Sequence, residues 1–234
     1  MDQPNIMSQH LARYLDAAIL KPETTRDEFN AAVKTCTDLK AWSVCVRPCD
    51  IEPAKALCQG TETKVCVVLG FPHGCQLTAS KIDEARRYIE LGVDEIDMVA
   101  NYGWAKSGLW EEVEADIAAV VEVCKAAGVL LKVIFETAQL APEQTKQLTE
   151  ICAKVGADFV KTSTGFNGEG AREEDVRLML ETAAGRCKVK PSGGIRDAAR
   201  AQMFVDMGVH RLGVNWSSCE AICGGAAPAS GEGY

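Results

Sequence analysis

Three lysines and two acids stand where charged residues are out of place. In Leu130-Leu131-Lys132-Val133-Ile134 a lysine sits among apolar neighbours, and in Glu95-Ile96-Asp97-Met98-Val99 two acids alternate with apolar residues. Phe159-Val160-Lys161 and Val189-Lys190 each end on a lysine, followed by Thr162-Ser163-Thr164-Gly165 and Pro191-Ser192-Gly193-Gly194. Burying an unpaired charge is costly, so these five groups should meet one another. Two juxtaposed lysines have a definite chemical use. A lysine is nucleophilic only when neutral; its ordinary pKa is ~10.4, and bringing it to about 7 takes ~4–5 kcal/mol. A second ammonium ~4 Å away supplies roughly 4 kcal/mol at an effective dielectric of 20, with desolvation adding the rest. The neutral amine would attack a carbonyl to form a Schiff base, the electron sink needed to make or break a carbon–carbon bond beside that carbonyl.

The elements that would position these groups repeat along the chain. Short runs rich in Val and Ile recur at Ser43–Val46, Lys64–Leu69, Glu95–Val99, Leu130–Phe135, Phe159–Lys161, Lys188–Lys190 and Arg211–Val214, with a weaker one at Leu15–Leu20. The intervening segments are long enough for helices, an alternation that predicts βα units and a parallel sheet. Gly60, Gly92, Gly128, Gly156, Gly185 and Gly208 each stand a few residues before a run, as expected where a helix ends on a left-handed residue. Thr25-Arg26-Asp27-Glu28 and Ser80-Lys81-Ile82-Asp83 resemble capping boxes, and Pro142 fits the first turn of a helix over 142–155.

Eight strands with seven or eight helices fit a (β/α)8 TIM barrel, which needs at least ~200 residues. The chain has 234. An open doubly wound sheet is the alternative, but no strand runs into a G-x-G-x-x-G fingerprint. No linker divides the chain, so a single barrel domain is expected over residues 1–223, with a flexible Gly/Ala/Ser-rich tail over 224–234. Glu95, Asp97 and Val99 share one strand face, which in a barrel can point inward. Lys161 and Lys190 end their strands on the C-terminal rim, where barrels place their chemistry.

Composition narrows the function classes. The apolar fraction of 47% argues against disorder, and no apolar run reaches the ~18 residues of a membrane span. Met1-Asp2-Gln3-Pro4-Asn5 lacks the start of a signal peptide, so a cytoplasmic location is expected. The net charge of -8 disfavours nucleic acid as a partner. Inside, three lysines against two acids would still make a locally positive site suited to an anionic ligand. The 11 cysteines are odd in number, lack a CxxC pair and sit mostly in apolar runs, so they read as reduced core residues. His10, His73 and His210 show no metal-binding spacing, so neither a metal nor another cofactor is expected. His73 belongs to the loop after the third strand, and Gly168-Glu169-Gly170 reads as a turn.

From about Leu15 onward the chain resembles the deoxyribose-phosphate aldolases. The resemblance rests on Gly70-Phe71-Pro72-His73-Gly74, Asp94 to Val99, Leu130 to Thr137, Ala157 to Gly165 and Lys190 to Arg196, in that order. It implies a Schiff-base aldolase with a (β/α)8 barrel, reversibly joining acetaldehyde to glyceraldehyde 3-phosphate to give 2-deoxyribose 5-phosphate. It makes Lys161 the Schiff-base lysine and Lys190 the second lysine. Asp97 becomes the proton donor and acceptor, working through a bound water, and Lys132 the residue that holds Asp97. The terminal Tyr234 would help move the donor's proton. Thr164, Gly165, Gly193, Gly194, Gly213 and Asn215 would line the substrate and phosphate site, and the family's members suggest a dimer or tetramer. Two positions depart from the family pattern. Ala18 stands where a threonine is common, and Gly213-Val214-Asn215-Trp216 replaces a Gly-x-Ser-Ser phosphate segment. The departures leave open a different or unphosphorylated acceptor aldehyde. A barrel that only binds a sugar phosphate is the alternative of another class, disfavoured by the joint presence of Lys161, Lys190 and Asp97.

Overall fold

The computed structural model describes residues 10–224. Eight parallel strands form one sheet: β1 (Leu15–Ile19), β2 (Ser43–Val46), β3 (Lys64–Leu69), β4 (Glu95–Val99), β5 (Leu130–Ile134), β6 (Phe159–Lys161), β7 (Lys188–Lys190) and β8 (Leu212–Asn215). Their order is β7-β6-β5-β4-β3-β2-β1-β8, and a parallel bridge between Ser192 and Gly213 joins the two ends. The sheet is therefore the nearly closed wall of a (β/α)8 barrel. The last strand begins and ends one residue later than its sequence pattern indicates.

Eight helices follow the strands in turn: α1 (Arg26–Asp38), α2 (Ile51–Cys58), α3 (Thr78–Glu90), α4 (Trp110–Ala127), α5 (Pro142–Val155), α6 (Glu173–Ala183), α7 (Ala198–Asp206) and α8 (Cys219–Gly224). A short helix, Tyr102–Lys106, precedes α4. Strand alternation divides the apolar residues into two cores. Outward-facing Ala17, Val44, Val67, Ile96, Leu131, Val133, Val160 and Val189 join the helices in one large cluster. Ala18, Leu20, Cys45, Cys66 and Val68 form a small separate cluster capped by Phe71, the apolar part of the barrel interior.

Local signals explain most helix ends. Thr25 and Glu28 form the expected capping box, with the Glu28 N–H donating to Thr25 Oγ1 at 3.4 Å and the Thr25 N–H to Glu28 Oε2 at 2.8 Å. Gly128 and Gly156 cap α4 and α5 at φ 69° and 81°, a region that L side chains enter only at a cost. The second expected box, at Ser80, does not form. Helix α3 starts at Thr78, because Thr78 Oγ1 donates to Asp116 Oδ1 at 2.7 Å and Lys81 Nζ sits 2.6 Å from Asp116 Oδ2. This buried pair draws the first turn of α3 onto α4 and places Ser80 inside the helix.

The expected boundary after Cys223 falls one residue before the end of α8. The tail from 225, including Tyr234, lies outside the described residues. All 11 cysteines are free. Among the described residues no helix is long and apolar enough to cross a membrane.

Candidate active site

Register brings the charged strand residues together. Asp97 on β4 pairs with Lys132 on β5, and Lys161 on β6 pairs with Lys190 on β7. All four side chains turn into the barrel and are buried. Lys161 Nζ lies 2.8 Å from Asp97 Oδ2, and Lys190 Nζ lies 2.9 Å from the same oxygen. The two amines thus share one carboxylate oxygen. Lys132 Nζ holds the other, Oδ1, at 2.8 Å. Lys132 and Asp97, linked in the sequence reading, are thus in direct contact.

Two further charges complete the cluster. Asp16 on β1 accepts from Lys190 at 2.6 Å and lies 3.5 Å from Lys132. Arg211, just before β8, donates to Asp16 Oδ1 at 2.9 Å and lies 3.4 Å from Glu95, while Glu95 Oε2 is 2.5 Å from Lys132 Nζ. Trp42 closes the N-terminal end. Its Nε1 donates to Glu95 Oε1 at 2.9 Å, and the Arg211 guanidinium lies 4.2 Å above its ring. The interior therefore holds Lys132, Lys161, Lys190 and Arg211 against Asp16, Glu95 and Asp97, an excess of one positive charge when all are ionised. Loss of a proton from one lysine brings the set to neutrality. Asp16 and Arg211 escaped the sequence reading, although an acid inside an apolar strand was the same signal that marked Lys132.

The surroundings fix the charges. Burial disfavours the Asp97 carboxylate, but Lys132, Lys161 and Lys190 outweigh it and hold the group well below the usual carboxylate range. Burial likewise opposes ionised Asp16, which Lys190, Lys132 and Arg211 hold low. Burial also opposes the Lys132 ammonium, yet Asp97, Cys66, Glu95 and Asp16 raise its pKa well above the lysine range. For a depressed carboxyl the stabilisation is complete above the unfolded pKa of ~3.9 and is lost as pH falls through the folded value. In urea unfolding, the stability of the native chain is expected to fall more steeply below about pH 4 than that of Asp16→Asn. Equal slopes would show that Asp16 is not held ionised by its partners.

Loops at the C-terminal ends of the strands are tied to one another. Glu136, buried at φ 59°, accepts from the Thr164 N–H at 3.1 Å and from the Thr164 hydroxyl. Asn167 Nδ2 donates to Glu136 Oε2 at 3.2 Å and to the Pro72 carbonyl at 3.1 Å, and the Phe71 and Phe166 rings meet edge-to-face at 5.1 Å. Gly74 belongs to the same arrangement, because a Cβ there would stand 2.2 Å from the Ala100 carbonyl. None of Glu136, Asn167 or Phe166 is marked by charge in an apolar run, and the sequence reading did not find them.

The residues expected to hold a phosphate behave differently. The Gly193 N–H donates to the Gly213 carbonyl at 3.2 Å, and the Gly213 N–H to the Pro191 carbonyl at 2.8 Å. These bonds close the barrel between β7 and β8 and use both N–H groups within the protein. Asn215 Oδ1 accepts from the Ser217 N–H and hydroxyl, both at 3.1 Å. Gly194, at φ 75°, has open space where a Cβ would stand, and Gly165 adopts φ 83°. Beside Asn215 a cavity of about 290 Å³ opens between the ends of β1 and β8, lined by Ala18, Leu20, Lys21, Trp216 and Ser217 among others.

The family model for DeoC/LacD family aldolases matches residues 1–218. The chain belongs to the DeoC/LacD family of aldolases. Among its relatives, the deoxyribose-phosphate aldolase of Mannheimia succiniciproducens is 44% identical over 207 residues, covering 88% of this chain and 92% of the relative. That of Clostridium perfringens (strain 13 / Type A) is 42% identical over 217 residues, covering 93% and 96%. The tetrameric deoxyribose phosphate aldolase of Aeropyrum pernix superposes with a TM-score of 0.84 at 28% identity, covering 92% of this chain and 90% of that one.

Proposed function

We propose that the chain is a deoxyribose-phosphate aldolase that works through a Schiff base on Lys161. The observation that carries this reading is the single oxygen, Asp97 Oδ2, shared by Lys161 and Lys190 in a cluster with one positive charge in excess. Proton loss from Lys161 neutralises the cluster and frees a lone pair. The amine adds to the acetaldehyde carbonyl, giving a carbinolamine; loss of water leaves the iminium ion. Removal of a proton from the adjacent carbon gives an enamine that attacks the aldehyde carbon of glyceraldehyde 3-phosphate. Water then releases 2-deoxyribose 5-phosphate and restores Lys161. In this reading Asp97 and Lys190 pass protons to and from the carbinolamine oxygen, and Lys132 orients Asp97 from its far side. The names of the relatives support the substrate pair. The tetrameric relative supports assembly into a homo-oligomer, and the free cysteines support a cytoplasmic location.

A second reading concerns the acceptor alone. Ala18 offers no hydroxyl to the cavity between β1 and β8, and the Gly193 and Gly213 N–H groups are bonded within the protein. These contacts favour an unphosphorylated or different acceptor aldehyde with the same Schiff-base chemistry.

Borohydride reduction in the presence of acetaldehyde should leave an N-ethyl group on Lys161, found by peptide mass. Absence of any adduct at Lys161 would refute the aldolase reading. With the adduct established, a higher kcat/KM for glyceraldehyde 3-phosphate than for glyceraldehyde supports the phosphorylated substrate, and the reverse order supports the second reading.

A further inference from the structure

The barrel interior holds two thiols that Schiff-base chemistry leaves unused. Cys45 on β2 and Cys66 on β3 are register partners, both buried beside Ala18, Leu20 and Val68. Cys66 Sγ donates to Asp97 Oδ1 at 3.2 Å and accepts from Lys132 Nζ at 3.4 Å. The two sulfur atoms and a carboxylate oxygen of Asp97 all lie within 4.8 Å of one another. Among the described residues no other three His, Cys, Asp or Glu side chains converge in this way.

We propose that Cys45, Cys66 and Asp97 form a chelating site for a thiophilic divalent cation, zinc or cadmium, and that its occupancy inhibits the enzyme. Two sulfur donors and one oxygen suit zinc or cadmium, whereas magnesium and calcium require oxygen donors and, for magnesium, retained water. Around a tetrahedral zinc with Zn–S of ~2.3 Å the sulfurs stand ~3.7 Å apart. Cys66 Sγ is already 3.2 Å from Asp97 Oδ1, and the two sulfurs, within 4.8 Å of each other, need to draw in by at most about 1 Å, within reach of cysteine side-chain rotation. The charge balance is favourable even beside three lysines. Each thiol gives up its proton as its sulfur bonds to the metal, so two protons leave for one divalent ion and the net charge of the interior does not change. Lys132 is already placed to donate to the Cys66 thiolate. Inhibition follows because a metal beside Cys66 takes Asp97 Oδ1, the oxygen that Lys132 holds, and so turns the carboxylate whose other oxygen Lys161 and Lys190 share. That consequence rests on the Schiff-base reading, whereas metal binding does not.

The test uses the full chain with its two exposed cysteines replaced, Cys49→Ser and Cys75→Ser, as the parent protein. Cadmium is titrated while the thiolate-to-cadmium absorption and the protons released are followed. One ion per chain, two protons per ion and an affinity at least about tenfold weaker in both Cys45→Ala and Cys66→Ala support the site. Equal affinity in the parent and either alanine variant overturns it. Zinc should also suppress borohydride trapping at Lys161 in the parent, but not in Cys66→Ala at the same concentration. Cadmium binding with trapping unaffected by zinc overturns the inhibitory role. Absence of trapping in the metal-free parent is instead a failure of the aldolase reading, and the cadmium titration then still decides the site.

Discussion

Lys161→Met is expected to lower turnover by about 10⁴-fold or more and to abolish borohydride trapping, while the barrel stays folded. The size of the effect follows from the role. Removing a covalent nucleophile leaves only the residual assistance of the surrounding groups, and comparable losses accompany the loss of nucleophiles elsewhere. Retention of the fold follows from charge and position. Lys161 is 3% exposed at the end of β6, and its Asp97 oxygen is also held by Lys190. Without Lys161 the interior keeps Lys132, Lys190 and Arg211 against Asp16, Glu95 and Asp97, three charges of each sign. The variant should therefore be as stable as the native chain or slightly more so, as is common when an active-site charge is removed. Urea unfolding and peptide mass after trapping check the two halves independently. Appreciable turnover in a folded Lys161→Met protein would assign the nucleophile to another residue.

How far the sequence could be read depended on the type of signal. A lysine inside Leu-Leu-Lys-Val-Ile is legible, because few arrangements other than a buried pair accommodate it, and Lys132 does meet Asp97, Glu95 and Asp16. The helix-ending glycines are legible for a backbone reason. All six expected positions have φ between 69° and 92°. Asp16 carried the same signal as Lys132 but stands in the weakest strand pattern, and its partner Arg211 is 195 residues away. Only closure of the sheet between β1 and β8 brings them into contact.

Closure also bears on the glycines expected to line the phosphate site. A glycine N–H after a strand looks available in one dimension, yet Gly193 and Gly213 complete the seam between β7 and β8. The Ser80 box failed for a related reason. Its spacing was right, but the buried Lys81–Asp116 pair sets the register of α3 against α4, and a surface cap does not override it. Cys45 and Cys66 were each legible as buried, but their meeting depends on strand register, which the spacing of cysteines does not encode.

Lys132→Met tests whether charge count or geometry governs the interior. It leaves the same three charges of each sign as Lys161→Met, so a count alone predicts the same outcome. The contacts predict the opposite. Lys132 touches Asp97 Oδ1, Glu95 Oε2 and Asp16 Oδ2, and it is fully buried. Its removal strips Asp97 Oδ1 of its ammonium and leaves Glu95 to Arg211 at 3.4 Å and to the Trp42 indole. Breaking a buried pair by removing one partner typically costs about 3–5 kcal/mol, and the variant is expected to lose that much in urea unfolding. Glu95→Gln added to Lys132→Met removes one of the stranded carboxylates and should recover part of the loss, a coupling that a double-mutant cycle reads directly. Activity gives an independent sign. With Lys132 absent, a neutral Lys161 leaves the interior one negative charge in excess, so the amine retains its proton to higher pH. Borohydride trapping should therefore begin at a higher pH in Lys132→Met than in the native chain. A stable variant with unchanged onset would mean that the cation across Asp97, placed so close to the reacting amine, neither supports the barrel nor sets the charge of Lys161.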